Sequence, residues 1–184
     1  MKAIDLLLNR QSHPLLSLPA PDDEEIDLMI RAALRAPDHA YLQPWRFILV
    51  RGSGLDKLGD LFVEATRQEE PETPLPKLQK LQQKPHRAPL IITVVAKTLP
   101  HPKVPEWEQL VSAGCAAHSI VLSAQELGYA AMWRTGGMAE NAHVKKAMGL
   151  SNNECIVGFI YIGTQVAERR VKPRLEPGDY LSEF

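Results

Sequence analysis

Arg31-Ala32-Ala33-Leu34-Arg35-Ala36-Pro37-Asp38-His39-Ala40-Tyr41-Leu42-Gln43-Pro44-Trp45-Arg46-Phe47 holds a helix that stops, a polar loop and the start of a buried strand. Upstream of it, Asp22 can cap free helix amides with Glu25 three residues on, and Ile26, Met29, Ile30, Ala33 and Leu34 recur at helical spacing. That spacing marks one buried face. Pro37 disfavours helical geometry at Ala36, so the chain leaves the helix with Arg35 in the final turn and Asp38 and His39 just beyond. Pro44 stiffens the entry into a strand from Trp45 to Val50. A loop carrying Arg, Asp, His, Tyr and Gln between two apolar elements holds polar groups on a rigid scaffold, as a ligand site requires.

Outward from this stretch, Ala3 to Arg10 predicts a short amphipathic helix with Ile4, Leu7 and Leu8 on one face, delivering Arg10, Gln11 and Ser12 into a loop. Leu15 to Pro21 is punctuated by prolines and reads as loop. Leu55 to Gln68 and Lys77 to Lys84 have helical spacing, and the charged, proline-bearing Glu69 to Pro76 between them predicts a mobile surface loop or lid. Leu90 to Ala96 is a continuous apolar run, the pattern of a strand covered on both faces. The longest helix runs from Pro105 to Leu127. Its small residues Gly114, Ala116, Ala117, Ser119, Ser123 and Ala124 allow close approach on several sides, so Trp107 and His118 are expected to be packed within the core. Tyr129 to Arg134 reads as a strand, Thr135-Gly136-Gly137 as a turn, Glu140 to Met148 as a helix and Glu154 to Gly163 as the last strand. From Thr164 the chain loses periodicity yet keeps Arg169, Arg170, Lys172, Leu175, Tyr180, Leu181 and Phe184, which predicts an arm lying across a partner subunit. The pattern is α+β, one domain over 1–184 with 164–184 as its arm.

The 184 residues are 45% hydrophobic, enough for a real core. With 21 Lys+Arg against 22 Asp+Glu there is no excess charge for gripping nucleic acid or anionic lipid. No apolar run is long enough to span a bilayer, and Asp5 interrupts the N-terminal segment too early for a signal-peptide core, so a cytoplasmic protein is expected. Cys115 and Cys155 show no paired spacing and read as reduced core residues. Signatures of nucleotide-binding Gly-rich loops, zinc hydrolases and nucleophile elbows are missing, and the histidines are scattered, so no metal is expected.

Polar loops at the ends of apolar elements remain. Arg10-Gln11-Ser12 offers a guanidinium, a hydroxyl and backbone amides suited to a phosphate monoester, though by themselves these three residues better fit an exposed helix end, where Arg and Ser are common. Arg35, Asp38 and His39 suit a ligand or a salt-bridged helix terminus. Trp133-Arg134-Thr135-Gly136-Gly137 lets backbone approach a planar ligand closely, or forms a turn with Arg134 in water.

Asn9-Arg10-Gln11-Ser12, Arg35-Ala36-Pro37-Asp38-His39 with Gln43-Pro44-Trp45, Arg87-Ala88-Pro89-Leu90, Ser112-Ala113-Gly114-Cys115-Ala116, Trp133-Arg134 and Ile156-Val157-Gly158-Phe159 together resemble the nitroreductase family of FMN-dependent oxidoreductases. The resemblance covers nearly the whole chain and is nearest the short single-domain bacterial NAD(P)H nitroreductases. It implies a nitroreductase-like α/β sandwich with a central mixed, mostly antiparallel sheet flanked by helices, in a domain-crossing homodimer with FMN at the subunit interface. Carried over by position, Arg10, Gln11 and Ser12 hold the phosphate and ribityl end. Arg35 and His39 come from the partner subunit, and Trp133, Arg134 and Thr135 line the isoalloxazine. The implied reaction is ping-pong: NADH or NADPH gives a hydride to flavin N5, then a nitroaromatic, quinone or similar acceptor receives it, with no catalytic side chain required. Two departures stand out. Many members carry a basic residue where this chain has Pro14, leaving Arg35, Arg134 or His13 to supply the cation near the flavin. The Ser-rich loop of larger relatives is replaced by Asp38-His39-Ala40-Tyr41-Leu42. Pro14 also sustains an alternative, an FMN-binding carrier or sensor without efficient turnover.

Overall fold

The computed structural model describes residues 2–167 and 173–184. Its sheet is centred on β3 (Leu90–Lys97), the continuous apolar run, with β2 (Trp45–Arg51) on one side and β5 (Glu154–Gln165) on the other. Both ladders are antiparallel: Trp45 pairs with Ala96 and Arg51 with Leu90, while Leu90 pairs with Ile162 and Lys97 with Glu154. β4 (Ala130–Arg134) pairs antiparallel with β5, and the short β1 (Leu16–Ser17) pairs with the last residues of β5. Among the described residues the strand ladders are antiparallel, and the expected mixed character appears as an isolated parallel bridge between Ser12 and Ala131.

Each face of β3 is covered, which is why its sequence does not alternate. On one face Ile92 and Val94 join Ile160 and Ile162 beneath α2 (Asp23–Ala33) and α5 (Glu106–Glu126), which contribute Met29, Ala33, Ala117 and Ile120. On the other, Ile91, Phe159 and Tyr161 meet Leu55, Leu58 and Phe62 of α3 (Ser53–Glu69). Phe62 and Phe159 stack edge to face with centroids 5.7 Å apart. α4 (Leu75–Gln82) packs on α3 so closely that a Cβ at Gly59 would collide with the Gln82 carbonyl.

The predicted capping box forms: Asp22 accepts from the Glu25 amide at 2.9 Å, and Glu25 accepts from the Asp22 amide at 3.0 Å. Glu25 also accepts from the Tyr129 hydroxyl at 2.7 Å, a bond that pushes the phenol up to about 12 and ties the start of α2 to the approach to β4. The expected helix over Glu140 to Met148 is two shorter ones, α6 (Gly137–Glu140) and α7 (Ala142–Ala147), because Asn141 leaves helical geometry and caps the Val144 amide at 2.9 Å. β1 lies inside the proline-punctuated stretch read as loop.

The lid expected over Glu69 to Pro76 is instead a short connection between α3 and α4. Thr73 donates to the Glu70 carbonyl at 2.8 Å and Lys77 reaches the Glu70 carboxylate at 2.7 Å, fixing it. α1 (Ala3–Asn9) buries none of its residues, and Leu8 is 76% exposed. Trp107, expected in the core, is 63% exposed, and His118 is exposed as well, because α5 packs on its own protomer through the Ala113, Ala116, Ala117, Ile120 and Ala124 face. Leu175, Tyr180, Leu181 and Phe184 touch little of their own chain; Arg169, Arg170 and Lys172 lie outside the described residues. Both cysteines are free and half-buried. No helix among the described residues is long and apolar enough to cross a membrane.

One ion pair bridges β2 and β5 across β3. Arg46 donates from Nε to Glu154 Oε1 at 2.6 Å and from Nη2 to Oε2 at 2.9 Å, and holds that carboxyl down to about 2, helped by the Ser151 amide. A carboxyl depressed in the fold stabilises it above the unfolded pKa, about 4.3, and loses that contribution as pH falls toward 2. Thermal unfolding followed from pH 7 to 2 is expected to lose on the order of 2 kcal/mol through this pair. Glu154→Gln should be less stable at pH 7 with a flatter acid limb; an unchanged acid limb would count against the pair.

Candidate functional site

β4 organises the site because its residues alternate between the two faces of the sheet. Trp133 turns toward α5, while Arg134 turns toward the α3 face and lies 5.3 Å from the centroid of the Tyr161 ring. The seat of Trp133 is a β-bulge. Val94 pairs with Gly158 but Val95 with Ile156, so Val157 is the extra residue, and its carbonyl accepts from Trp133 Nε1 at 3.2 Å. Gly158 leaves room for the ring, since a Cβ there would collide with the indole.

The loop after α1 is laid against the same strand. Ser12 bridges Ala131, and the His13 amide donates to the Ala131 carbonyl at 3.1 Å. Arg10 Nη1 donates to Ser12 Oγ at 3.3 Å. Arg10, Ser12 and Trp133, with His118 and Val121 of α5, enclose a cavity of about 270 Å³. Gln11 belongs to this loop but does not line the cavity.

On the α3 face, the end of β4 opens into a cleft of about 420 Å³, with Trp133, Arg134, Thr135, Gly136 and Gly137 on its wall. Gly136 has φ +87°, a conformation that favours glycine, and a Cβ at Gly136 or Gly137 would meet nothing within 4 Å, so backbone there is open to approach. Arg134 Nη2 donates to the Pro14 carbonyl at 3.0 Å, and its Nε is buried without a partner. Lys84 and Arg87, from the turn between α4 and β3, complete the cationic lining. Burial and then the Arg87 charge pull both Lys84 and Arg134 below their ordinary pKa values, and burial pushes the Tyr161 phenol up.

Arg35 and His39 are exposed and line neither cavity of their own chain. The loop carrying them is not the simple salt-bridged terminus the sequence also allowed. Asp38 accepts from the amides of Leu42 at 3.2 Å and Gln43 at 2.7 Å, while His39 Nδ1 meets Glu108 of α5 at 2.9 Å. Ala40, Tyr41 and Gln43 have φ of 64°, 54° and 49°, strain the Asp38 bonds help hold. The structure thus gathers Arg10, Ser12 and Trp133 about one cavity and Trp133, Arg134 and Thr135 about the other, and leaves Arg35 and His39 apart from both. Sequence reasoning missed His118, Lys84 and Arg87. The basic run Lys84-Pro85-His86-Arg87 ahead of a buried strand was a usable signal, whereas His118 sat on an apolar stripe and gave none.

The Nitroreductase family model matches residues 8–164. The chain is 40% identical over 164 residues to the "Putative NAD(P)H nitroreductase YdjA" of Escherichia coli (strain K12), covering 89% of this chain and 88% of the relative. In structure it resembles the nitroreductase-like family protein from Bacillus cereus, with a TM-score of 0.88 at 22% identity over 100% of this chain and 96% of the other. It also resembles a point mutant of the FMN and NADPH-dependent nitroreductase NfnB from sphigopyxis sp. strain HMH, with a TM-score of 0.78 at 19% identity over 100% and 99% of the two chains.

The seat of Trp133 gives a direct test. Gly158→Ala is expected to displace the indole and destabilise the fold by roughly 1–3 kcal/mol, as overpacking does. Denaturant unfolding with tryptophan fluorescence checks both effects, and a variant with unaltered stability and emission would remove the glycine's assigned role.

Proposed function

We propose that this chain, which belongs to the nitroreductase family, is an NAD(P)H oxidoreductase that holds FMN and acts on nitroaromatics, quinones or similar small electron-poor acceptors. The observation that carries this reading is the pairing of Arg10 and Ser12 beside Trp133, the one side chain shared by both cavities. The guanidinium and hydroxyl suit a phosphate monoester, and Gln11 adds an amide to the same loop for the ribityl end. Trp133, Thr135 and the open backbone at Gly136 and Gly137 suit a planar ring. When bound, FMN supplies the redox chemistry, taking a hydride from NADH or NADPH and passing it to the acceptor.

Pro14 lacks the basic side chain many relatives carry, yet its carbonyl tethers Arg134, so a cation stands beside that position all the same. Arg134 is therefore the residue we assign to stabilising negative charge that develops near the ring. Arg35 and His39 point to assembly from two copies: both are exposed, and His39 is gripped by Glu108 on α5. The apolar side chains left open on α1, at Trp107 and along the 173–184 segment supply the surface such a homodimer needs, with 164–184 as the arm crossing to the partner.

Arg10→Ala is expected to weaken FMN binding about ten- to a hundredfold, because a charge-assisted bond to phosphate contributes roughly 1.5–3 kcal/mol. Equilibrium dialysis measures it, and unchanged affinity would remove the phosphate assignment. Anaerobic mixing of the yellow protein with NADH or NADPH should bleach it within the turnover time. A flavin that stays oxidised would leave a carrier or sensor in place of an enzyme.

A further inference from the structure

The cleft on the α3 face carries more positive charge than a neutral acceptor requires. Lys84, Arg87 and Arg134 line it, and among the described residues no acidic side chain does. Five cations elsewhere do meet carboxylates, Arg31 with Asp27, Arg46 with Glu154, Arg51 with Asp23, Lys77 with Glu70 and Lys145 with Glu140, but what sets the cleft apart is that three cations share one concave wall. Like charges gathered in a partly dry cleft repel one another and strengthen the pull on any anion that enters. Burial first, and then the Arg87 charge, hold the pKa values of Lys84 and Arg134 below their ordinary range. Arg134 adds a second sign: its Nε is buried and unbonded while Nη2 is fixed by the Pro14 carbonyl, so a donor stands ready without a protein acceptor.

The coenzyme phosphate does not account for this charge. Its proposed holders, Arg10 and Ser12, lie with His118 and Val121 in the cavity on the α5 face, whereas Lys84, Arg87 and Tyr161 line the cleft on the other face of β4. Only Trp133 is common to both. Resting on the flavoenzyme reading, we propose that this cleft recognises an anionic group, a carboxylate or phosphate, carried by one of the exchanging small-molecule substrates. Arg87 is the accessible member of the cluster: it is exposed, in the turn Pro85–Arg87 that leads into β3. It meets the incoming anion, and Lys84 and Arg134 complete the positive wall.

Isothermal titration of the FMN-loaded protein with 4-nitrobenzoate and with neutral 4-nitrobenzamide tests the acceptor as the source of the anion. The same titration with the oxidised nicotinamides NADP+ and NAD+, which cannot reduce the flavin, tests the nicotinamide's extra phosphate. In at least one pair the member bearing the additional anionic group is expected to bind about tenfold tighter or more, with that preference falling at least fivefold in Arg87→Gln and kept in Arg87→Lys. The pair that responds identifies the source. A preference absent from both pairs, or equal in wild type and Arg87→Gln, overturns the proposal. So does an Arg87→Gln variant that binds FMN more weakly but riboflavin as before, since the cleft would then hold the coenzyme phosphate. Because the titration needs no turnover, failure of NAD(P)H to bleach the flavin would sink the enzymatic reading without deciding this one.

Discussion

The bulge at Val157 is the constraint on which the site depends. One extra residue in β5 turns a carbonyl out of the ladder, Trp133 takes it, and Gly158 leaves the indole its space. Trp133 is thereby fixed as the wall between two cavities, and its neighbour Arg134 is directed to the opposite face. A regular ladder would leave the Val157 carbonyl paired and the indole without its anchor. The bulge costs a step of register but sits next to β3, whose doubly buried face over-determines the pairing on either side.

Position along β4 then converts packing into chemistry. The loop after α1 runs beside β4 through the Ser12–Ala131 bridge, so Arg10 and Ser12 share a face with Trp133. The turn after α4 brings Lys84 and Arg87 to the other face with Arg134. Net charge gives no hint of this separation, because a chain of net charge -1 hides a local excess as readily as a local balance.

What the sequence conveyed depended on whether a signal was local. The capping box at Asp22 and Glu25 and the apolar run of β3 are set by neighbours in the chain, and both form as their residues imply, whereas α2 ends at Ala33, short of the final turn expected to hold Arg35. β1 was hidden because a two-residue strand has no periodicity, only a partner at Gln165 and Thr164. The charged stretch between α3 and α4 looked like a lid because its prolines were visible, while the bonds of Glu70 to Thr73 and Lys77 were not. Among the site residues, the Arg10 loop and the Trp133 turn were legible as polar punctuation at element ends. The bulge that joins them was not, since it arises from pairing between β3 and β5 rather than from any one strand. Trp107 and His118 failed for another reason. Helical spacing states that a face is apolar, not whether the cover comes from its own chain.

That last distinction bears on how the proposed dimer would complete the site. A loop reaching into a partner's cavity is useful only if it arrives in one conformation, because ordering it on contact would spend the interface energy on lost entropy. The loop at Asp38 is built to avoid this. Three non-glycine residues sit at positive φ, each a cost, and the Asp38 carboxylate offsets part of it by binding two amides of the same loop. Glu108 adds an anchor from α5, holding the exposed His39 ring through Nδ1. A loop with no function beyond its own protomer would gain from relaxing any of these angles. Strain held by placed hydrogen bonds, on an exposed segment carrying Arg35 and His39, is the cost expected of a surface preformed for something other than its own chain.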